Sequence, residues 1–164
     1  MAVGRKEARD AIATFIAPPN VDGINQVFTS FPKRIDFQVN ALPSDVSRCA
    51  AVIFIESERE NRLAIGGATN GIKRVDYSVA IQLFHHSMQR DAEDAMDDFD
   101  NLIDAIKERL RQGQHTLGEI DPNLIWQAAE PFIDVSYSEP LVRDNGATDI
   151  WAAIRFTVTQ MIES

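Results

Sequence analysis

Between Ile72 and His86 the chain alternates with period two: Val75, Tyr77, Val79, Ile81 and Leu83 fall on one side, Asp76, Ser78 and Gln82 on the other. Such a run is satisfied by a strand with one buried and one wetter face. A few residues later the period changes. In Asp91–Arg111, Ala92, Ala95, Met96, Phe99, Leu102, Ile103, Ile106 and Leu110 occupy a stripe about 120° wide at ~100° per residue, the pattern of an amphipathic helix ~31 Å long. Asp91 is placed to cap it, and Glu93 and Asp94 suit its positive end. Lys107, Arg109 and Arg111 suit the other end, and Gly113 stops it. A long strand followed directly by a helix with one apolar stripe implies a helix laid on a sheet.

The remaining segments fit around this pair. A short N-terminal helix is expected over Gly4–Ile16, with Ala8, Ala11, Ile12, Phe15 and Ile16 at helical spacing and Pro18-Pro19 ending it. Val21–Leu42 reads as short extended pieces, and Pro43-Ser44-Asp45 breaks the chain. Ala50–Glu56 is a continuous apolar run of strand length, suited to a strand covered on both faces. Ser57–Gly71, with Gly66-Gly67 and Asn70-Gly71, reads as a loop longer than a hairpin needs, either disordered or functional. Phe132–Val142 and Ile150–Ile162 read as two further strands, with Asp144-Asn145-Gly146 supplying the reversal between them. The expected fold is α+β: a single domain over residues 1–164, a mostly antiparallel sheet, the long helix packed on one face and the short N-terminal helix beside it.

Charge and cysteine content exclude whole classes of function. With 25 acidic and 16 basic residues the formal net charge is −9, which opposes binding that depends on neutralising phosphates. The charge is local. Residues 91–104 carry seven acidic and no basic residues, leaving the rest of the chain nearly balanced. Cys49 is the only cysteine and sits in an apolar run, so no internal disulfide or multi-thiolate zinc site forms, and a buried thiol is expected. No apolar run is long enough to span a membrane, and the basic N-terminus lacks the apolar core of a secretory signal, so intracellular synthesis is expected.

The motifs that invite a chemical reading each have a plainer one. His85 and His86 are neighbours on a strand and point to opposite faces, so they do not share a metal; His115 has no spaced partner. The acids from Asp91 to Asp104 lack the Gly and Glu positions of a calcium loop and lie opposite the apolar stripe, as a solvated helix face does. Gly66–Gly71 lacks the Gly-Lys-Ser/Thr ending of a phosphate cradle. Ser136 and Ser138 have no nucleophile-elbow context. No catalytic grouping, cofactor site or metal site is expected, and the chain is not read as an enzyme.

Three stretches together resemble the tail terminator proteins of long-tailed bacteriophages, the minor tail proteins that cap the tail tube. They are the opening helix Arg5–Ile16 followed by Pro-Pro, the strands Ala50–Glu56 and Ile72–His86 around the charged Gly-rich segment, and Tyr77-Ser-Val-Ala-Ile-Gln-Leu-Phe-His-His86 running into Asp91–Arg111. The closing hairpin Phe132–Ile162 completes the arrangement. The resemblance covers nearly the whole chain and contains no catalytic motif. It implies a structural virion protein of the tail-neck region, assembled in the host cytoplasm. Its expected form is a homo-oligomeric ring, a hexamer, bound to the major tail tube protein below and to head-completion or neck proteins above. DNA would pass through the lumen without specific binding, and no cofactor or membrane is implied.

A ring of this kind needs one surface patch to meet a different patch on the next copy. The candidate assembly loop carries Glu58, Arg59, Glu60 and Arg62 with the neighbouring Lys73 and Arg74, charges of both signs that set partner choice more than affinity. It is expected to order only in the assembled ring or against tail and neck partners; a hairpin tip without a role stays open. The edges of Ile72–His86 and Ile150–Ile162 are candidates for covering by a neighbour. The candidate acidic face comprises Asp94, Asp97, Asp98 and Asp104, expected to face outward with the sheet as lumen wall. Trp126 is expected in the core, and Trp151 suits core or interface equally. The alternatives are another head-tail connector, a stopper or a tail-tube subunit, or a small cellular ligand-binding α+β domain, for which His85, Tyr77 and Glu130 are the available polar groups.

Overall fold

The computed structural model describes residues 4–30, 48–64, 71–87, 92–112, 124–126, 133–144 and 146–163. Their order is α1 (Arg5–Ile16), β1 (Gln26–Phe28), β2 (Arg48–Ala64), β3 (Ile72–Ser87), α2 (Ala92–Gln112), β4 (Leu124–Trp126), β5 (Asp134–Tyr137), β6 (Leu141–Val142) and β7 (Thr148–Glu163). The fold is α+β, with two helices and a mixed seven-stranded sheet among the described residues, in the order β1-β2-β3-β7-β4, β5 and β6 also pairing with β7. β1 runs parallel to β2, and every other pairing is antiparallel.

The central pair is β3 and β7. Their register runs without interruption from Ile72↔Glu163 to Ser87↔Thr148. Facing residues share a side of the sheet, so Val75, Tyr77, Val79, Ile81 and Leu83 of β3 join Val158, Phe156, Ile154, Ala152 and Ile150 of β7 on one face, all buried. Cys49, Ala51, Ile53 and Ile55 of β2 extend that face. Both helices supply the other half of the core. α1 contributes Ala8, Ile12, Phe15 and Ile16, and α2 contributes Phe99, Leu102, Ile103, Ile106 and Leu110, all in one cluster with the strand residues. At roughly 1.5–3 kcal/mol for each large side chain fully buried, this shared face is the main stabilising element.

Local chemistry fixes the helix ends. The Gly4 amide donates to Glu7 Oε2 at 2.9 Å, satisfying one free N–H at the start of α1. The Ala17 amide closes its end on Ala13 O at 2.9 Å, before a cis Pro18–Pro19 bond. Arg109 near the end of α2 donates from Nε to Phe15 O at 3.0 Å and lays its guanidinium 4.1 Å from the Phe15 ring centroid. One side chain thus ties the last turn of α2 to the last turn of α1 through a hydrogen bond and a cation–π contact. Gly23, at φ +96°, turns the chain from α1 toward β1 in a conformation that L side chains rarely adopt.

Several expectations are corrected here. The charged run after Glu56 is strand, not loop: β2 continues to Ala64 and pairs with β3 through Ser57↔Ser78, Glu58↔Tyr77, Arg59↔Asp76, Glu60↔Val75, Asn61↔Arg74 and Arg62↔Lys73. A register shift between Ile55 and Ser57 separates its apolar half from its charged half. The long β3 supplies a ladder beyond the edge of the core, and that ladder holds residues whose own propensity is poor. β3 has no free edge, being paired with β2 on one side and β7 on the other. The expected strand Phe132–Val142 is two short ones, β5 and β6, with residues 138–140 between them carrying Pro140. The Asp144–Gly146 reversal does lead into β7: Arg143 N donates to Ala147 O and Gly146 N to Arg143 O. Asp91, residues 31–47, residues 65–70 of the expected loop, His115 and Glu130 lie outside the described residues.

Candidate assembly edges

The sheet has two edges of unlike construction. On the first, β1 covers β2 at Ala50–Val52, and Arg5 of α1 donates from Nη2 to the Ile55 carbonyl at 2.9 Å. From Glu56 onward no strand pairs with β2 on the side away from β3 among the described residues. Glu56 to Arg62 are all exposed. The six predicted assembly residues meet on this arm. Lys73 Nζ binds Glu60 Oε1 at 3.0 Å. Arg74 Nε binds Asp76 Oδ1 at 2.8 Å, and Thr159 Oγ1 donates to the same oxygen at 2.7 Å. Glu58, with Glu60, shares the face of Tyr77, whose phenol is pushed up by burial first and then by these carboxylates and Glu7. Glu58, Arg59 and Arg62 form no salt bridge among the described residues. Unpaired charges on an open strand discourage indiscriminate edge pairing.

The second edge is β4, β5 and β6 laid end to end along β7 at Gln160–Val158, Arg155–Ala152 and Asp149–Thr148. It carries the large apolar side chains left in water among the described residues, with Tyr137 52%, Leu141 47% and Val142 59% exposed. Asp134, Glu139 and Asp144 are exposed among them, and none forms a salt bridge among the described residues. Sequence reading places a strand here, Phe132–Val142 turned back onto Ile150–Ile162, and that antiparallel pairing is present, but it does not mark the strand as an exposed apolar edge. The signal for exposure is faint: Ile133, Val135 and Tyr137 alternate with Asp134, Ser136 and Ser138 as in a half-buried strand, and the alternation stops at Pro140. Tyr137 also lies near α2, its phenol pushed up by burial and by Asp100 and Asp104, against the opposing pull of Lys107.

On the sheet face away from the helices, a shallow recess of about 330 Å³ lies between Gln82, Phe84, Ser136, Ser138, Trp151 and Ala153. Phe84 and Trp151 are direct cross-strand neighbours, with Gln82 facing the small Ala153 beside them. Ser138 pins Trp151 by accepting its amide on Oγ at 2.9 Å and donating its own amide to Trp151 O at 2.8 Å. Arg155 bridges Ser136 Oγ at 2.9 Å and Glu56 Oε1 at 3.1 Å. Trp151 is thus a half-buried wall of this recess, not a core residue. Trp126 belongs to β4, and its side chain is outside the described residues.

The acidic face is solvated, as its spacing predicts. Asp94, Asp97, Asp98 and Asp104 are exposed on α2, with Glu93 and Asp100; Asp104 binds Lys107 at 3.2 Å. The two histidines separate to opposite faces. His85 is 8% exposed, its ring stacked on Phe99 at 5.3 Å, and neither ring nitrogen has a hydrogen-bond partner among the described residues. Burial pulls its pKa down, against the weaker opposing influence of Asp98. His86, half-buried, bonds through Nδ1 to Asp149, which also binds Arg143 Nε. Tyr77 Oη donates to Gln160 Oε1 at 3.2 Å inside the core. Burial pushes the Cys49 thiol up to about 12, the state of an unreactive core cysteine.

Among the described residues no three His, Cys, Asp or Glu side chains are grouped to hold a metal ion, and no helix is long and apolar enough to cross a membrane. No protein-family model matches the chain. A search of curated proteins likewise finds no match.

Proposed function

We propose that the chain is a structural subunit of the tail-terminator type. It closes into a ring, six copies in the expected form, on the tail tube of a long-tailed phage and presents a surface to head-completion proteins. The observation that carries the proposal is the pair of unlike edges, open among the described residues, on opposite sides of one sheet. A closed ring is built from a heterologous contact, in which each copy offers one patch to the next copy's other patch. The exposed apolar group on the β5–β6 edge is the kind of surface that a lone subunit has reason to cover. The sheet forms the lumen wall and the acidic side of α2 faces outward, where it serves solubility and keeps assemblies apart. DNA slides through without being gripped, and no catalysis is involved.

Tail-tube elongation tests the proposal. Added to polymerising tube protein, the chain stops growth and remains at one end of short tubes. A chain that polymerises into long tubes by itself is a tube subunit instead. The recess beside Trp151 favours a second reading, a small-ligand-binding domain, because its volume reaches the lower end of the usual range of ~300–1,000 Å³. A stable monomer whose tryptophan fluorescence titrates with a metabolite would establish it.

A further inference from the structure

We infer that the two open edges are the two halves of one interface: the charged half of β2 in one copy pairs with the β5–β6 edge of a second copy. This rests on the ring-forming proposal and names the surfaces that join the ring.

Backbone geometry permits the pairing. β2, β3, β7 and β5–β6 alternate in direction across the sheet. Copies related by rotation about a common ring axis, with the sheet continued from one to the next, therefore set β2 antiparallel to the next β5 and β6, extending the same ladder. The open part of β2 begins at Glu56, after β1 and Arg5 have used the preceding edge groups, and ends at Ala64. The opposing edge runs from Asp134 to Val142. Both stretches extend about 30 Å at ~3.3 Å per residue.

The two stretches lie at different heights. The open half of β2 is level with residues 156–163 of β7, while β5 and β6 are level with residues 148–155. Joining them staggers neighbours by roughly 26 Å across four strands spanning ~19 Å. Every strand then leans by about 54° from the ring axis, steeper than the ~35–45° typical of closed barrels.

Side-chain chemistry selects the partner. Once Glu60–Lys73 and Arg74–Asp76 are paired within the copy, the β2 arm retains Glu58, Arg59 and Arg62, one net positive charge, with both guanidinium groups unengaged among the described residues. The other edge retains Asp134, Glu139 and Asp144, three carboxylates around Tyr137, Leu141 and Val142. Guanidinium groups meeting carboxylates at the rim specify which edge is accepted, and covering the apolar side chains contributes affinity. Two copies of the same edge repel at the acidic side, so pairing is head to tail.

A charge-swap experiment tests the inference. Arg59→Glu with Arg62→Glu forms one variant, and Asp134→Lys with Glu139→Lys the other. All four positions are exposed, so both variants keep the wild-type circular dichroism spectrum. The wild type sediments as rings at rising concentration, each variant alone loses the ring species, and an equimolar mixture regains it. In the mixture every interface again opposes unlike charges, in a ring of alternating copies. If both variants form rings as the wild type does, or if both lose them and mixing restores nothing, the edge pairing is wrong while ring formation stands. A wild type that stays monomeric at every concentration overturns the edge pairing and the ring together.

Discussion

Replacing His85 by Leu removes the least satisfied polar group in the described core. The imidazole is 92% buried in relative terms, stacks on Phe99 and leaves both nitrogens without a partner among the described residues. An unsatisfied buried donor or acceptor costs ~1–3 kcal/mol, and the ring stacking lost with it is worth ~0.5–1.5 kcal/mol. Leucine is of similar volume and lies on the same face as Ile150 and Cys49. A net gain of about 1 kcal/mol is expected above pH 7.5. The pH dependence carries a firmer sign. The folded-state pKa is lowered, so the unfolded chain takes up a proton that the folded chain refuses. This contribution is fully present above the unfolded value of ~6.5 and is lost as pH falls toward the folded value, by up to ~1.4 kcal/mol per pH unit for one proton. The groups acting on the ring are Asp98 on α2, and His86 and Asp149 on the strands; all remain in the variant. Urea unfolding at pH 7.5, 6.5 and 5.5 therefore shows the variant's advantage widening as pH falls. Parallel stability curves would refute the assignment of a neutral, desolvated imidazole at this site.

Other substitutions probe the remaining joints. Arg109→Met keeps the stem but loses the Phe15 carbonyl bond and the cation–π contact; a cost of about 1–2 kcal/mol is expected, read as a melting-temperature drop. Gly23→Ala meets Leu102 Cδ1 at 3.2 Å on a positive-φ backbone, whereas Gly146→Ala, also at positive φ, meets open space. The first is expected to cost more than the second, which carries backbone strain of ~1–2 kcal/mol alone, and equal losses in thermal unfolding would contradict that. Changing Asp97, Asp98 and Asp104 to Asn is expected to leave both ring formation and DNA passage intact in a plaque assay. Defective DNA passage with intact rings would put the acidic helix face in the lumen.

Periodicity made the centre of the fold legible. Val75 to Leu83 and Ala95 to Leu110 each show a repeat that only one kind of element satisfies, and the buried faces are those the repeat predicts. The opposite faces of His85 and His86 follow from the same rule. Residues 57–64 are not legible in this way. Glu58, Arg59, Glu60, Asn61 and Arg62 are exposed on both sides, so no apolar alternation marks them, and their strand form comes from pairing with the distant β3. The strand over 132–142 was legible, but its interruption and its exposure were not, for a related reason. Its short strands are defined by their partner β7, and Tyr137, Leu141 and Val142 resemble buried strand residues until the fold leaves them in water. Of the two candidate surfaces, composition singled out the charged arm, while the edge opposite it required the topology.

The mass of the purified protein tests the central claim most directly. Sedimentation or native mass spectrometry of the wild type at increasing concentration is expected to show one closed species of fixed subunit number, with no ladder of larger assemblies. A monomer at all concentrations, or growth without limit, would contradict a subunit whose unlike edges close into a ring.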